Sequence, residues 1–114
     1  MKKRIACLIF AAVSTGAAAQ YVGPSERPTA KVADILSNPV DDQRVELQGR
    51  LLRKIGDEKY IFSDGTGEIV AEIDDDEFRG QRVDESTRVK VQGEVDTGRK
   101  RPPEIEVDRL TVMR

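Results

Sequence analysis

The stretch Tyr60-Ile-Phe-Ser-Asp-Gly-Thr-Gly-Glu-Ile-Val-Ala-Glu-Ile-Asp74 decides the fold. Apolar residues alternate on both sides of the segment Asp64-Gly-Thr-Gly67. A period of two puts alternate residues of a strand on opposite faces. Glycine and aspartate between the runs supply the tight turn. The stretch therefore reads as a β-hairpin. Tyr60, Phe62, Ile69, Ala71 and Ile73 form its core face, and Lys59, Ile61, Ser63, Val70 and Glu72 its outer face.

More strands extend outward from this hairpin. A first strand spans about Gln43 to Ile55, with Val45, Leu47, Gly49 and Leu51 in one phase. The adjacent Leu51 and Leu52 break that phase, and a glycine followed by a phase slip implies a bulge or bend. Gly56-Asp57 makes the next turn. A fourth strand, about Thr87 to Asp96, aligns Val89, Val91, Gly93 and Val95. The fifth, about Glu104 to Met113, changes phase between Val107 and Leu110, so a bulge is expected near Asp108-Arg109. Before the strands, Thr29 can cap a short helix with Val32, Ile35 and Leu36 on one face, and Asn38-Pro39 stops it.

A helix followed by strands with mid-strand glycines points to an all-β domain. The expected fold is a five-stranded OB-fold barrel of Greek-key type with a short N-terminal helix. The bent first strand pairs on both sides, and closure limits exposed edges. The helix usual between strands three and four is absent or reduced to a turn at Asp75 to Gly80. A two-sheet sandwich is the structural alternative.

The N-terminus has a different character. Lys2, Lys3 and Arg4 precede the apolar run Ile5 to Val13 and the small residues Ala17-Ala18-Ala19. This is the pattern of a secretory signal peptide over residues 1–19. The run is shorter than the roughly 20 residues a membrane-spanning helix needs, so no stable insertion is expected after cleavage. Residues 20–28, rich in Pro and Gly, read as an extended arm, and 29–114 as the domain. The only cysteine, Cys7, falls in the leader. A cysteine-free exported domain fits a bacterial periplasm.

Without residues 1–19 the chain keeps 16 basic and 21 acidic residues, a net charge of −5. That balance opposes polyanion binding, which rests on Lys and Arg neutralising phosphates. Single-strand binding also needs aromatic platforms. Tyr60 and Phe62 fall on the core face instead, so no nucleic-acid partner is expected. The chain has no histidine, which removes the usual general base and the Ser-His-Asp and Cys-His nucleophile arrangements. Carboxylate-pair catalysis alone stays open, and the expectation is a protein that is not an enzyme and needs no cofactor. The acidic run Asp74-Asp75-Asp76-Glu77 does not match a calcium loop. Starting at Asp75 puts Gly80 at position six but Arg79 at five and Ser86 at twelve. A solvated turn is the expected role, with no metal.

The order Val45-x-Leu47-x-Gly49, Tyr60-x-Phe62-x-Asp64-x-Thr66-Gly67-x-Ile69, Phe78-x-Gly80, Val89-x-Val91-x-Gly93-Glu94-Val95-Asp96 and Glu104-Ile105-x-Val107 resembles the bacterial OB-fold (BOF) family of periplasmic stress-tolerance proteins, also called the NirD/YgiW/YdeI family. Gly23-Pro24-Ser25 is similar to a motif such proteins carry after the leader, and Phe78 stands where relatives often have Trp. The resemblance implies a periplasmic OB-fold module for envelope stress, binding a small molecule or envelope component. It brings no catalytic residue. By fold analogy the ligand face is strands one to three, between the Lys54–Glu58 turn and the basic Thr97–Pro103 loop. The candidate residues are Arg50, Ile61, Val70, Glu72, Arg99 and Arg101. The alternative is a protein-interaction module that docks a periplasmic partner through a strand edge or the arm.

Overall fold

The structure is a computed structural model and describes residues 29–113. The expected leader at 1–19 and arm at 20–28 lie outside the described residues. The elements are α1 (Val32–Ser37), β1 (Arg44–Gly56), β2 (Lys59–Ser63), β3 (Glu68–Ile73), a single 3₁₀ turn (Asp75–Phe78), β4 (Val89–Asp96) and β5 (Glu104–Val112). The strands close a barrel in the order β1-β2-β3-β5-β4. β3 and β5 run parallel, and the other neighbours are antiparallel. This is the expected five-stranded OB fold, with the β3–β4 helix reduced to the 3₁₀ turn. Among the described residues no helix is long and apolar enough to cross a membrane.

Closure depends on β1. Residues Arg44 to Gly49 pair with β4, and Arg50 to Gly56 pair with β2. The switch falls at Gly49, next to a register shift between Leu51 and Arg53, where the phase slip predicts a bulge. β5 has a matching irregularity. Arg109 pairs with Gln92 and Val107 with Gly93, leaving Asp108 as the extra residue of the bulge. Both glycines are steric necessities. A Cβ on Gly49 would collide with the Ser63 carbonyl oxygen, and one on Gly93 with the Glu106 carbonyl oxygen. Backbone cannot swing aside as a flexible side chain can.

The barrel interior is apolar. Val45, Leu47, Phe62, Ala71, Ile73, Val89, Val95 and Ile105 are fully buried, and among the described residues none that is polar or charged is buried. These are the inward phases of the strands. At the end of the barrel Tyr60 keeps its inward phase and packs against the core. It is only half-buried, because it stands where the hairpin leaves the barrel and rests on Phe78. The turn before it is displaced by one residue. Gly56 ends β1, the turn residues are Asp57 and Glu58, and Glu58 takes the left-handed φ of 62°.

The helix forms where expected, with Val32 and Ile35 buried and Asn38 as its C-cap, but Leu36, expected on the same face, is exposed. Its N-terminal cap is not Thr29. That residue forms a parallel bridge with Glu46, and the Ala30 N–H donates to the Glu46 carbonyl at 2.9 Å. The free N–H groups of the first helical turn are satisfied by the distant hairpin turn. The Val32 N–H donates to Asp64 Oδ2 at 2.9 Å and the Ala33 N–H to Thr66 Oγ1 at 3.1 Å. Asp64 Oδ1 in turn accepts from the Thr66 N–H at 2.9 Å and its hydroxyl at 2.6 Å. Gly67 lets the helix lie flat, since a Cβ there would meet Val32 Cγ1 at 3.3 Å.

Gly49→Ala and Gly93→Ala are each expected to lower unfolding free energy by about 1–3 kcal/mol, the usual cost of overpacking. Gly56→Ala is the control, because its Cβ would have nothing nearer than 3.9 Å. Urea unfolding of the three variants checks this.

Asp64→Ala is expected to cost about 1 kcal/mol, as for loss of a helix cap. Burial opposes ionisation of Asp64, but the hydrogen bonds from Thr66 and Val32 outweigh it and hold the carboxyl below its ordinary value of 3.8. The contribution is therefore complete above that value and disappears as pH falls through the lowered folded-state pKa. Urea melts of Asp64→Ala and the parent chain are expected to converge in acid.

Candidate functional site

The β1–β4 ladder ends at Gly49 and Val89. It ends because the residues before Val89 are folded on themselves. Asp84 Oδ1 accepts from the Ser86 N–H at 2.9 Å, the Ser86 hydroxyl at 2.8 Å and the Thr87 hydroxyl at 3.0 Å. The Asp84 N–H donates to Thr87 Oγ1 at 3.1 Å. These bonds, that of the Ser86 side chain foremost, hold the Asp84 carboxyl below its ordinary value. The chain thus approaches β4 as a tight turn, not as an extension of the strand. The second half of β1 and the 81–85 segment separate, and a groove opens between them.

The groove has a volume of about 470 Å³ and is lined by Leu51, Leu52, Arg53, Lys54, Tyr60, Phe78, Gln81, Val83, Asp84 and Glu85. Its floor is apolar. The Tyr60 and Phe78 rings meet edge to face with centroids 5.7 Å apart and planes at 61°. That is a preferred aromatic geometry. Lys54 Nζ lies 5.7 Å from the Tyr60 centroid, within cation–π range. Arg53 and Lys54 stand on the β1 wall and Asp84 and Glu85 on the opposite one.

The residues named from fold analogy fall only partly together, with Ile61, Val70 and Glu72 on the shared outer face of β2 and β3. Arg50 lines a separate groove of about 150 Å³ with Gly49, Leu52, Ser63, Asp64, Gly65 and Arg88. Ile61 and Val70 face each other across β2 and β3 on the outer face. Glu72 is opposite Lys59 on one side and Glu106 on the other. Arg101 is folded back onto the barrel, with Nη2 at 2.9 Å from Asp96 Oδ2 and Nη1 at 3.3 Å from Glu104 Oε2. Its hydrogen bond to Asp96, followed by the charges of Glu104 and Asp96, raises its pKa against partial burial. Lys59 Nζ holds the other side of Glu104 at 3.1 Å. The basic loop therefore spends one of its cations on the fold, while Arg99 and Lys100 stay exposed.

The outer face of β3, β5 and β4 is acidic. Glu72, Glu106 and Glu94 stand in register across the three strands. Phe62 is buried, and Tyr60 and Phe78 pack on each other, so the hairpin presents no row of stacking rings. The acidic run of residues 74–77 closes a turn: Asp74 Oδ1 accepts from the Asp76 N–H at 2.9 Å. Among the described residues no group of three or more His, Cys, Asp or Glu is placed to hold a metal ion.

Sequence reasoning missed the groove, yet left two signals of it. Leu52 is an apolar residue on the wrong phase of its strand, and Phe78 and Val83 are apolar residues in a connection otherwise polar. The bulge of β1 accounts for Leu52, and no strand or helix pattern accounts for Phe78 and Val83.

The model of the family described as bacterial OB fold (BOF) protein matches residues 11–112. The calcium-regulated OB-fold protein CarO of Pseudomonas aeruginosa is 40% identical over 79 residues, which is 69% of this chain and 68% of that one. A Haemophilus influenzae protein is 30% identical over 117 residues, 96% of this chain and 97% of its own. The solved structure of ygiW from Escherichia coli superposes with a TM-score of 0.70 at 27% identity, covering 80% of this chain and 100% of that one.

Glu58, in the turn at the end of β1, tests the electrostatics beside the groove. The Asp74 charge, then burial, then Asp57 and Asp75 push its carboxyl above the ordinary 4.5. The folded state therefore holds a proton that the unfolded state has released, and stability falls as pH rises through that window. Glu58→Gln is expected to melt higher than the parent at pH 7, and the advantage is expected to vanish below about pH 4.5. Thermal melts at the two pH values measure it.

Proposed function

The chain belongs to the bacterial OB-fold (BOF) family, and we propose that it works as a binding module of the cell envelope. In this reading residues 1–19 direct export and are removed, and the domain acts in the periplasm. It contributes to stress tolerance by holding a small molecule or envelope component in the Tyr60–Phe78 groove, without catalysis.

One observation carries the reading: the groove between β1 and the 81–85 segment joins an apolar aromatic floor to charged walls. Its volume is in the range of small-molecule sites, which are mostly apolar with a few placed polar groups. The absence of histidine and the acidic outer face support binding over catalysis and over nucleic-acid partners. The Pseudomonas aeruginosa relative is calcium-regulated by name, but the groove has no cluster of metal ligands on which a calcium role would rest.

A second reading, a module that docks a periplasmic protein, is favoured by the open edge of β1. Beyond Gly49 the strand is paired with β2 alone, and among the described residues no backbone hydrogen bond joins residues 50–56 to 79–88. An extended partner segment would find main-chain groups there.

Thermal melts of the chain without residues 1–19 separate the two. Small envelope fragments or anionic metabolites are expected to raise the melting temperature, since a ligand at a hundredfold excess over its Kd adds about 2.7 kcal/mol. Leu52→Asn, which makes the groove wall polar, is expected to remove the shift. Should no small compound stabilise the parent more than Leu52→Asn, while one periplasmic protein co-purifies in stoichiometric amount, the second reading replaces the first.

A further inference from the structure

The charged residues of the domain are not used alike. Arg44 lies 3.9 Å from Glu94, Lys59 3.1 Å from Glu104, and Arg101 bonds both Asp96 and Glu104. These cations are partly neutralised on the barrel surface. Arg53 and Lys54 differ. They are exposed and adjacent, both line the groove, and among the described residues neither has a carboxylate within ion-pair distance.

The acids on the facing wall do not neutralise them. Asp84 directs Oδ1 into its own turn, where it accepts from the Ser86 amide and hydroxyl and the Thr87 hydroxyl. Glu85, its exposed neighbour, stays on the 81–85 side. The groove is thus polarised across its width, with two cations along β1 that lack a carboxylate partner among the described residues, Lys54 resting over the Tyr60 ring, and two carboxylates along the loop. Leu52, Tyr60, Phe78 and Val83 form an apolar floor between them.

We infer that the groove selects an amphipathic anion, an apolar chain or ring carrying a single carboxylate or phosphate group. This rests on the groove being the ligand site and adds the chemical class of the ligand. The apolar body lies on Tyr60, Phe78, Leu52 and Val83. The anionic group lies at Arg53 and Lys54, where a guanidinium presents paired donors to a carboxylate or phosphate. The carboxylates of Asp84 and Glu85 set the direction, because a reversed ligand brings its charge against theirs. A polyanion is disfavoured, since two cations match one anionic group and the neighbouring wall and outer face are acidic. Because Arg53 and Lys54 are exposed, salt weakens the charged contact while leaving the apolar one.

Binding of octanoate, octyl phosphate and octanol to the chain without residues 1–19 tests this, followed by chemical shifts of groove amides. The expected result is that at least one of the two anions binds about tenfold or more tighter than octanol, as for hydrogen bonds to charged groups. The tighter anion identifies the head group. Arg53→Gln with Lys54→Gln, both at exposed positions, is expected to erase that preference. Equal binding of octanol and both anions, or a preference that survives the double substitution, overturns the inference but leaves the groove a binding site. If none of the three shifts the groove amides at millimolar concentration, the inference and the groove reading fall together.

Discussion

Two backbone crossings without side chains hold this barrel closed. At Gly49 the first strand passes so near the Ser63 carbonyl that no Cβ fits, and at Gly93 the fourth strand does the same against Glu106. Everything else follows from these approaches. The turn of β1 at Gly49 lets one strand serve two neighbours, β4 on its first half and β2 on its second. The crossing at Gly93 sits beside the β5 bulge and lets β5 reach back to run parallel with β3. A small barrel without disulfides, whose described residues include no buried polar or charged side chain, gains its stability from the apolar interior that such closure allows.

The β2–β3 hairpin has roles at both ends. At one end the Asp64–Thr66 turn caps a helix more than thirty residues away in sequence. A helix of six residues is too short to persist alone, so its cap and its apolar face both come from the barrel. At the other end the half-buried Tyr60 meets Phe78, where a longer helix would otherwise cover the barrel. Shortening that helix to one 3₁₀ turn leaves the 79–88 chain to run beside β1 instead of sealing it. The groove lies beside that shortened connection.

Strand phases, both bulges and the single barrel were legible from residue alternation and from glycine position. The alternation at Val45, Leu47, Gly49 and Leu51 and the slip at Leu51-Leu52 were sufficient for β1, because burial on one face forces a period of two. The cap of α1 was not legible. Thr29 is a sound cap by residue type, yet the helix starts later and its partners are Asp64 and Thr66, far along the chain. The pairing of the candidate residue Arg101 was equally illegible. Arg101 has the composition of a free loop cation, but Asp96 and Glu104 lie near enough to capture it.

The amino-acid order alone set which residues face the core, because period-two burial is a local property of each strand. It also set the family resemblance, the lack of histidine chemistry and the acidic balance. Only the tertiary structure decided which charges remain free. Whether an arginine is neutralised depends on carboxylates that strand pairing brings beside it. Arg101 and Arg53 look equivalent in the chain, and register makes the first an internal tie and leaves the second at the mouth of a groove. The groove itself was equally a tertiary decision, since it exists only where the folded Asp84–Thr87 turn keeps the approach to β4 away from β1.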